Sequence, residues 1–370
     1  MEQWLQFTVL VLLLAASQHF IKSVYSQCDG ECVPLAKCRN SDFGGIGIFN
    51  VRIGDDANNQ TDCNHYLEVC CDKDKVISNI TRPVQQDFNN TRSRDDEPNP
   101  SEFEKCGKRQ MDGVGFRVVS TDRESQFGEF PWIVALFYQE TELTDDLQYF
   151  CGGSLIYPHV VLTAAHCVND RLNEKLIVRA GEWDMRTTNE VLPYQERDIT
   201  QAIVHEYYNS QFLFNDIALL ILEKPFEADE NVQLICLPPQ GLTFDSDEQC
   251  IANGWGKENF DSVSNQVILK KVELPVVTNK DCEAALRETR LGRSFRLHGS
   301  FMCAGGEEDI DTCTGDGGSP LVCPMPDEVN RYYHAGIVAW GIGCGQTDVP
   351  GVYAKTSLYT NWIENKLSEL

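Results

Sequence analysis

The sequence predicts an all-β protein, preceded by a small disulfide-rich module and closed by a C-terminal helix. Three observations carry this. Short apolar and β-branched runs recur through residues 106–370 between Gly, Pro, Asn and Asp turn signals, the pattern of an antiparallel sandwich or barrel. Of the 16 cysteines, Cys28, Cys32, Cys38, Cys63, Cys70 and Cys71 are grouped near the N-terminus. In residues 357–370, Leu358, Trp362, Ile363 and Leu367 share one helical face.

Residues 1–26 read as a signal peptide. Thr8–Ala16 is an apolar stretch too short to span a bilayer, and Val24-Tyr25-Ser26 offers a cleavage site before Gln27. A signal anchor is the competing reading, but no stop-transfer pattern follows. Export agrees with the even cysteine count and with sequons at Asn59, Asn79 and Asn89. The mature protein is expected to be soluble and extracellular. The chain carries 56 acidic residues against 31 basic ones, a net charge of −25. That balance argues against nucleic acid and against anionic membranes as main partners.

Residues 27–72 are too few to bury much apolar surface, so three bridges would stabilise them. Spacing alone does not choose the connectivity. Zinc is disfavoured because no histidine spacing supports it. Residues 73–105, rich in Asn, Asp, Arg and Pro between Asn79 and Pro100, read as an exposed, protease-sensitive linker. From residue 106 onwards the strand candidates are Trp132–Tyr138, Val160–Thr163, Leu176–Ala180, Ile217–Leu222, Val267–Val272 and Gly336–Trp340. Their apolar residues are expected to form the core.

Three motifs carry chemistry. Thr163-Ala164-Ala165-His166-Cys167 places a histidine among small residues after a strand. Asn215-Asp216-Ile217-Ala218-Leu219-Leu220 puts an acid at the head of an apolar strand. Asp311-Thr312-Cys313-Thr314-Gly315-Asp316-Gly317-Gly318-Ser319-Pro320 is a glycine-rich loop. With Gly128-Glu129-Phe130-Pro131-Trp132, Ala252-Asn253-Gly254-Trp255-Gly256 and Trp340-Gly341, residues 106–370 resemble the chymotrypsin/trypsin family of serine proteases. The resemblance implies two β-barrels with a cleft between them and a C-terminal helix. It also implies the pairs Cys106–Cys236, Cys151–Cys167, Cys250–Cys323, Cys282–Cys303 and Cys313–Cys344.

Acyl transfer by such a site needs a hydroxyl beside the imidazole, an acid behind it, and backbone N–H groups for the oxyanion. His166 and Asp216 fill two triad positions. The family reads Gly-Asp-Ser-Gly-Gly-Pro where this chain has Gly-Asp-Gly-Gly-Ser-Pro, so Gly317 stands at the position of the nucleophile. Gly315 and Gly317 would be the oxyanion-hole positions. Ser319 lies two residues on, up to about 7 Å along the chain, and geometry of this kind tolerates little misplacement. Ala339 stands where the family usually has serine beside the acid. The basic-residue pocket is retained: Asp311 as its acid, Gly341 and Gly351 keeping it open. That retention reads either as inheritance without use or as a cleft that binds a basic side chain without cutting.

Activation is altered as well. Relatives begin with Ile-Val-Gly-Gly after cleavage, and the new terminus pairs with the acid at position 316. Here Arg117-Val118-Val119-Ser120 lacks both glycines, and a cut between Arg117 and Val118 would leave a terminus one residue too long. Cleavage between Arg109 and Gln110 is the preferred expectation, with Cys106–Cys236 holding the halves together.

Six cysteines ending in adjacent Cys70-Cys71, then a linker and a protease-like domain, resemble a clip domain. Gly113-Val114-Gly115-Phe116-Arg117 and Ala180-Gly181-Glu182-Trp183-Asp184 are similar to arthropod clip-domain serine protease homologues of the prophenoloxidase-activating factor 2 type. The clip pattern implies Cys28–Cys70, Cys32–Cys63 and Cys38–Cys71. The family implies haemolymph, innate immunity, and a cofactor that helps an active clip-domain protease produce functional phenoloxidase from prophenoloxidase, with oligomerisation after cleavage left open. A decoy that restrains the cascade, a developmental adhesion role and an active trypsin-like endopeptidase are the alternatives. No cofactor is otherwise implied. Glu182 and Glu196 bracket a loop that holds calcium in some relatives, with Asp184 and Glu190 undecided and solvated surface acids the competing reading.

Overall fold

The computed structural model describes three short strands and residue 73 within the first hundred residues, then residues 103, 105–120, 123–139, 147–172, 174–188, 190–256, 266–307, 316–342 and 346–369. The chain divides into two compact units, Met1–Gly44 with Asp55–Asp87, and Gly45–Gly54 with Phe88–Leu370. The early strands are β1 (Glu31–Pro34), β2 (Phe49–Ile53) and β3 (Glu68–Cys71). In the smaller unit, β1 and β3 pair antiparallel, with Cys32 opposite Cys70. β2 falls inside the 27–72 segment yet belongs to the larger unit. It runs parallel to β4 (Phe116–Ser120), with Asn50 opposite Arg117.

The larger unit holds two closed antiparallel barrels, as the resemblance implies. The first contains β5 (Ile133–Gln139), β6 (Leu147–Tyr157), β7 (Val160–Thr163), β8 (Leu176–Ala180), β9 (Gln195–Val204) and β10 (Ala218–Leu222), in the order β10-β7-β6-β5-β8-β9. The second contains β11 (Gln249–Gly254), β12 (Lys270–Val277), β13 (Phe301–Ala304), β14 (Pro320–Pro324), β15 (Tyr332–Trp340) and β16 (Gly351–Lys355), in the order β11-β12-β13-β16-β15-β14. Closure pairs every strand on both sides and leaves no open edge. Inward positions fill each barrel: Val134, Leu155, Val161, Val178 and Leu220 in the first; Leu274, Met302, Leu321, Ala335 and Tyr353 in the second.

Three α-helices complete the described residues: α1 (Ala165–Val168), α2 (Asn279–Arg287) and α3 (Thr360–Ser368). α2 begins at Thr278, whose hydroxyl accepts the Asp281 N–H and so satisfies one of the helix's orphan donors. α3 starts later than the expected 357, because Thr356–Leu358 forms a 3-10 turn first. His334 on β15 ties the barrels together. Its ring nitrogens lie 3.1 Å from Ser154 Oγ on β6 and 2.9 Å from Thr356 Oγ1. Complete burial pushes its imidazole down to about 3, so it is neutral.

Candidate functional site

The site is assembled from three chain segments between the barrels. β7 ends at Thr163, Ala164 stays extended, and the first turn of α1 carries His166. Asp216 precedes β10 and is completely buried, while Asn215 before it takes a positive φ of 55° that turns the chain. Asp216 accepts twice from the same residue: the His166 backbone N–H at 2.8 Å and ring Nδ1 at 2.7 Å. That pairing places the ring proton on Nδ1 and leaves Nε2 facing outward.

Among the described residues, Nε2 meets no hydroxyl. Its polar neighbour is Cys167 Sγ at 3.6 Å, part of the Cys151–Cys167 disulfide. The facing residue is Gly317. A Cβ added there would lie 2.7 Å from Nε2, closer than side chains tolerate. The imidazole therefore occupies room that any side chain at 317 would need.

The rest of the loop is fixed by glycine geometry. Gly318 has φ +80°, and a Cβ on it would lie 2.3 Å from Thr163 Oγ1 and 2.5 Å from the Gly152 carbonyl. Its N–H donates to Val338 O at 3.0 Å, which anchors the loop to β15. Ser319 is fully buried, packed under Gly152 and Gly254, and its Oγ has no hydrogen-bond partner among the described residues. A hydroxyl enclosed there has no path to a substrate. The Asp316 carboxylate accepts the Gly256 N–H at 2.8 Å, and glycines at 254 and 256 permit that approach. Burial, together with the nearby Asp316 charge, holds the Tyr149 phenol well above its ordinary value. Ala339 is buried. Gly341 follows β15 and Gly351 opens β16. Asp311, Gly315 and the Cys313–Cys344 pair lie outside the described residues, as do the side chains of the clip cysteines and Asn59, Asn79 and Asn89.

The disulfides Cys106–Cys236, Cys151–Cys167, Cys250–Cys323 and Cys282–Cys303 are formed. Arg109, the preferred cleavage residue, is buried, and sequence reasoning missed its partners. Its guanidinium donates to Glu129 Oε1 at 2.6 and 2.9 Å and to the Tyr332 hydroxyl at 3.2 Å, and it lies over the Phe130 ring. Lys271 Nζ contacts both Glu129 oxygens at 2.8 Å. A protease needs that side chain in its own pocket, so cleavage between Arg109 and Gln110 requires the segment to leave this cluster first. Arg117 and Val118 lie on β4.

Glu182 and Glu196, the calcium candidates, both face Arg179. The Arg179 guanidinium lies 2.7 Å from a carboxylate oxygen of each. Glu190 sits beside them, and burial, then the Glu182 and Asp184 charges, push it up to about 8.

Comparison with known proteins matches this architecture. The family model described as Trypsin covers residues 119–363, and that described as Serine protease Clip domain PPAF-2 covers residues 21–72. Phenoloxidase-activating factor 2 of Galleria mellonella is 52% identical over 271 residues, 71% of this chain and 89% of that protein. Inactive CLIP domain-containing serine protease A8 of Anopheles gambiae is 40% identical over 343 residues, 90% of this chain and 87% of the relative. Inactive CLIP domain-containing serine protease A28 of the same species is 34% identical, covering 98% and 96%. The chain belongs to the trypsin family, in its clip-domain branch, among the serine protease homologues similar to phenoloxidase-activating factor 2.

Proposed function

We propose that this protein is a secreted, catalytically inactive protease homologue that acts, once cleaved, as a binding cofactor in prophenoloxidase activation. One observation carries the inactivity: Gly317 faces His166 Nε2 with no side chain, and the imidazole fills the space a hydroxymethyl would take. Without a nucleophile the acyl-enzyme cannot form, and His166 and Asp216 alone have nothing to activate. In a convergent protease, removing the nucleophile costs roughly 10⁶-fold in turnover. The names of the relatives, one a phenoloxidase-activating factor and two termed inactive, support the placement in that cascade.

The partners under this reading are prophenoloxidase or phenoloxidase and an activating clip-domain protease, met in haemolymph. Cleavage after Arg109, or after Arg117, is the trigger, and Cys106–Cys236 keeps the halves joined. Among the described residues no helix is long and apolar enough to cross a membrane. The test of inactivity is direct. Purified cleaved protein is given a peptide-Arg amide and a serine-directed fluorophosphonate probe. The account expects neither turnover nor labelling; stoichiometric labelling with turnover would refute it.

A further inference from the structure

The chain is strongly acidic, yet residues 287–296 carry Arg287, Arg290, Arg293 and Arg296 against a single acid, Glu288. This stretch leaves the end of α2 and closes on itself. Glu283 is the clasp: it pairs with Arg287 and lies 3.4 Å from Arg296, and its Oε2 accepts the Leu297 N–H at 2.9 Å. Arg287 Nε donates to Phe295 O at 2.9 Å. Arg290 and Arg293 are exposed and have no ion-pair partner among the described residues, and the Arg296 side chain is 72% exposed. The loop's apolar residues Leu291, Phe295 and Leu297 pack inward beside Trp340 against one buried cluster of the second barrel.

A second rim lies against the first. His298 stacks on Phe214 at 4.1 Å and 12°, and Phe214 stacks on Phe212, which is 55% exposed. The Phe212 tip is pre-ordered, because Asn209 Oδ1 accepts the N–H groups of Gln211 and Phe212. Phe214 packs on the same buried cluster as Leu291, Phe295 and Leu297, so the arginine loop and the aromatic ledge share one base.

We propose that this rim is a docking surface for a short acidic peptide segment of a partner protein, with carboxylates on Arg290 and Arg293 and an apolar side chain against Phe212. Charge decides between partners. A long polyanion or an anionic membrane would extend past the patch onto a molecule of net charge −25 and be repelled. A short segment keeps its charges near the arginines, while the molecule's more distant acids are screened beyond roughly 8 Å at physiological salt. The aromatic ledge offers contact to a protein side chain, and guanidinium forks suit carboxylates. This inference does not depend on the cofactor reading.

The test uses the full-length chain and a fluorescein-labelled octapeptide of Asp and Glu with one central Phe, read by anisotropy at 50 and 300 mM salt. Binding is expected at low salt and to weaken at least tenfold at high salt. Arg290→Glu with Arg293→Glu is expected to weaken it at least tenfold, and Phe212→Ala severalfold, with unchanged melting curves because all three side chains are exposed. Equal peptide binding by the wild type and the double variant would overturn the proposal. So would the absence of binding at low salt, or tighter binding to heparin fragments or phosphatidylserine vesicles than to the peptide.

Discussion

Replacing Gly317 by serine restores the family's residue, and the geometry forecasts that it fails to restore the enzyme. The new Cβ would lie 2.7 Å from His166 Nε2, 0.7 Å inside the distance at which ordinary contact begins. Two responses are open. The ring can swing away, which breaks the 2.7 Å bond from Nδ1 to Asp216, a charge-assisted contact of about 1.5–3 kcal/mol. Otherwise the loop can shift, but Gly318 is held against Thr163, Gly152 and Val338, and overpacking of this kind costs about 1–3 kcal/mol. Either route predicts a loss of about 1–3 kcal/mol, hence a melting temperature lower by roughly 2–12 °C at about 2–4 °C per kcal/mol for a domain of this size. Either route also leaves the serine oxygen displaced from the imidazole, and about 1 Å of misplacement can cost a hundredfold in rate. The assay is hydrolysis of a peptide-Arg amide by cleaved Gly317→Ser protein, with fluorophosphonate labelling and thermal melts. Turnover within about tenfold of an active clip-domain protease, with an unchanged melting temperature, would refute the reasoning.

Further outcomes follow from other buried groups. His334 is neutral in the fold at about 3 but titrates near 6.5 when unfolded. The unfolded state binds the extra proton, so stability is intact above pH 6.5 and falls as pH drops toward 3, by up to ~1.4 kcal/mol per pH unit from this residue. Chemical denaturation of wild type and His334→Gln across pH 4–7 would show that slope and its loss. Ser319→Ala removes a buried hydroxyl without a partner, so stability should be unchanged or higher by up to about 1 kcal/mol in urea melts. Glu129→Ala strands Arg109 and Lys271 and should cost about 3–5 kcal/mol, measured the same way. It should also speed trypsin cleavage after Arg109, read by N-terminal sequencing.

Much of the site was legible because its chemistry sits in contiguous motifs. His166, Asp216 and Gly317 come together as their flanking sequences imply, and Val160–Thr163 and Leu176–Ala180 are strands β7 and β8 to the residue. Other elements hid for physical reasons. β6 carries Gly152 and Gly153, which weaken a strand signal but allow close packing against Ser319 and Val161. β9, Gln195–Val204, opens on Gln-Glu-Arg-Asp and has no fully buried position, so its short apolar end Ala202–Val204 alone does not mark it. β12 begins at Lys270 rather than Val267, because pairing with β11 and not hydrophobicity sets its start. The N-cap of α2, Thr278 accepting the Asp281 N–H, has a local signal in Thr278-Asn279-Lys280-Asp281. The Arg109 cluster could not be read at all. Its members Glu129, Lys271 and Tyr332 are distant in sequence and meet only through the closure of both barrels.

The central claim is that a protease architecture is kept here for binding and not for cutting. Reconstitution tests it most directly. Purified precursor phenoloxidase and its activating clip-domain protease are assayed for phenol oxidation alone, with the intact chain, and with the chain pre-cleaved. The account predicts that the cleaved form raises phenoloxidase activity while the intact form leaves it near baseline. Identical activity in all three mixtures would contradict it.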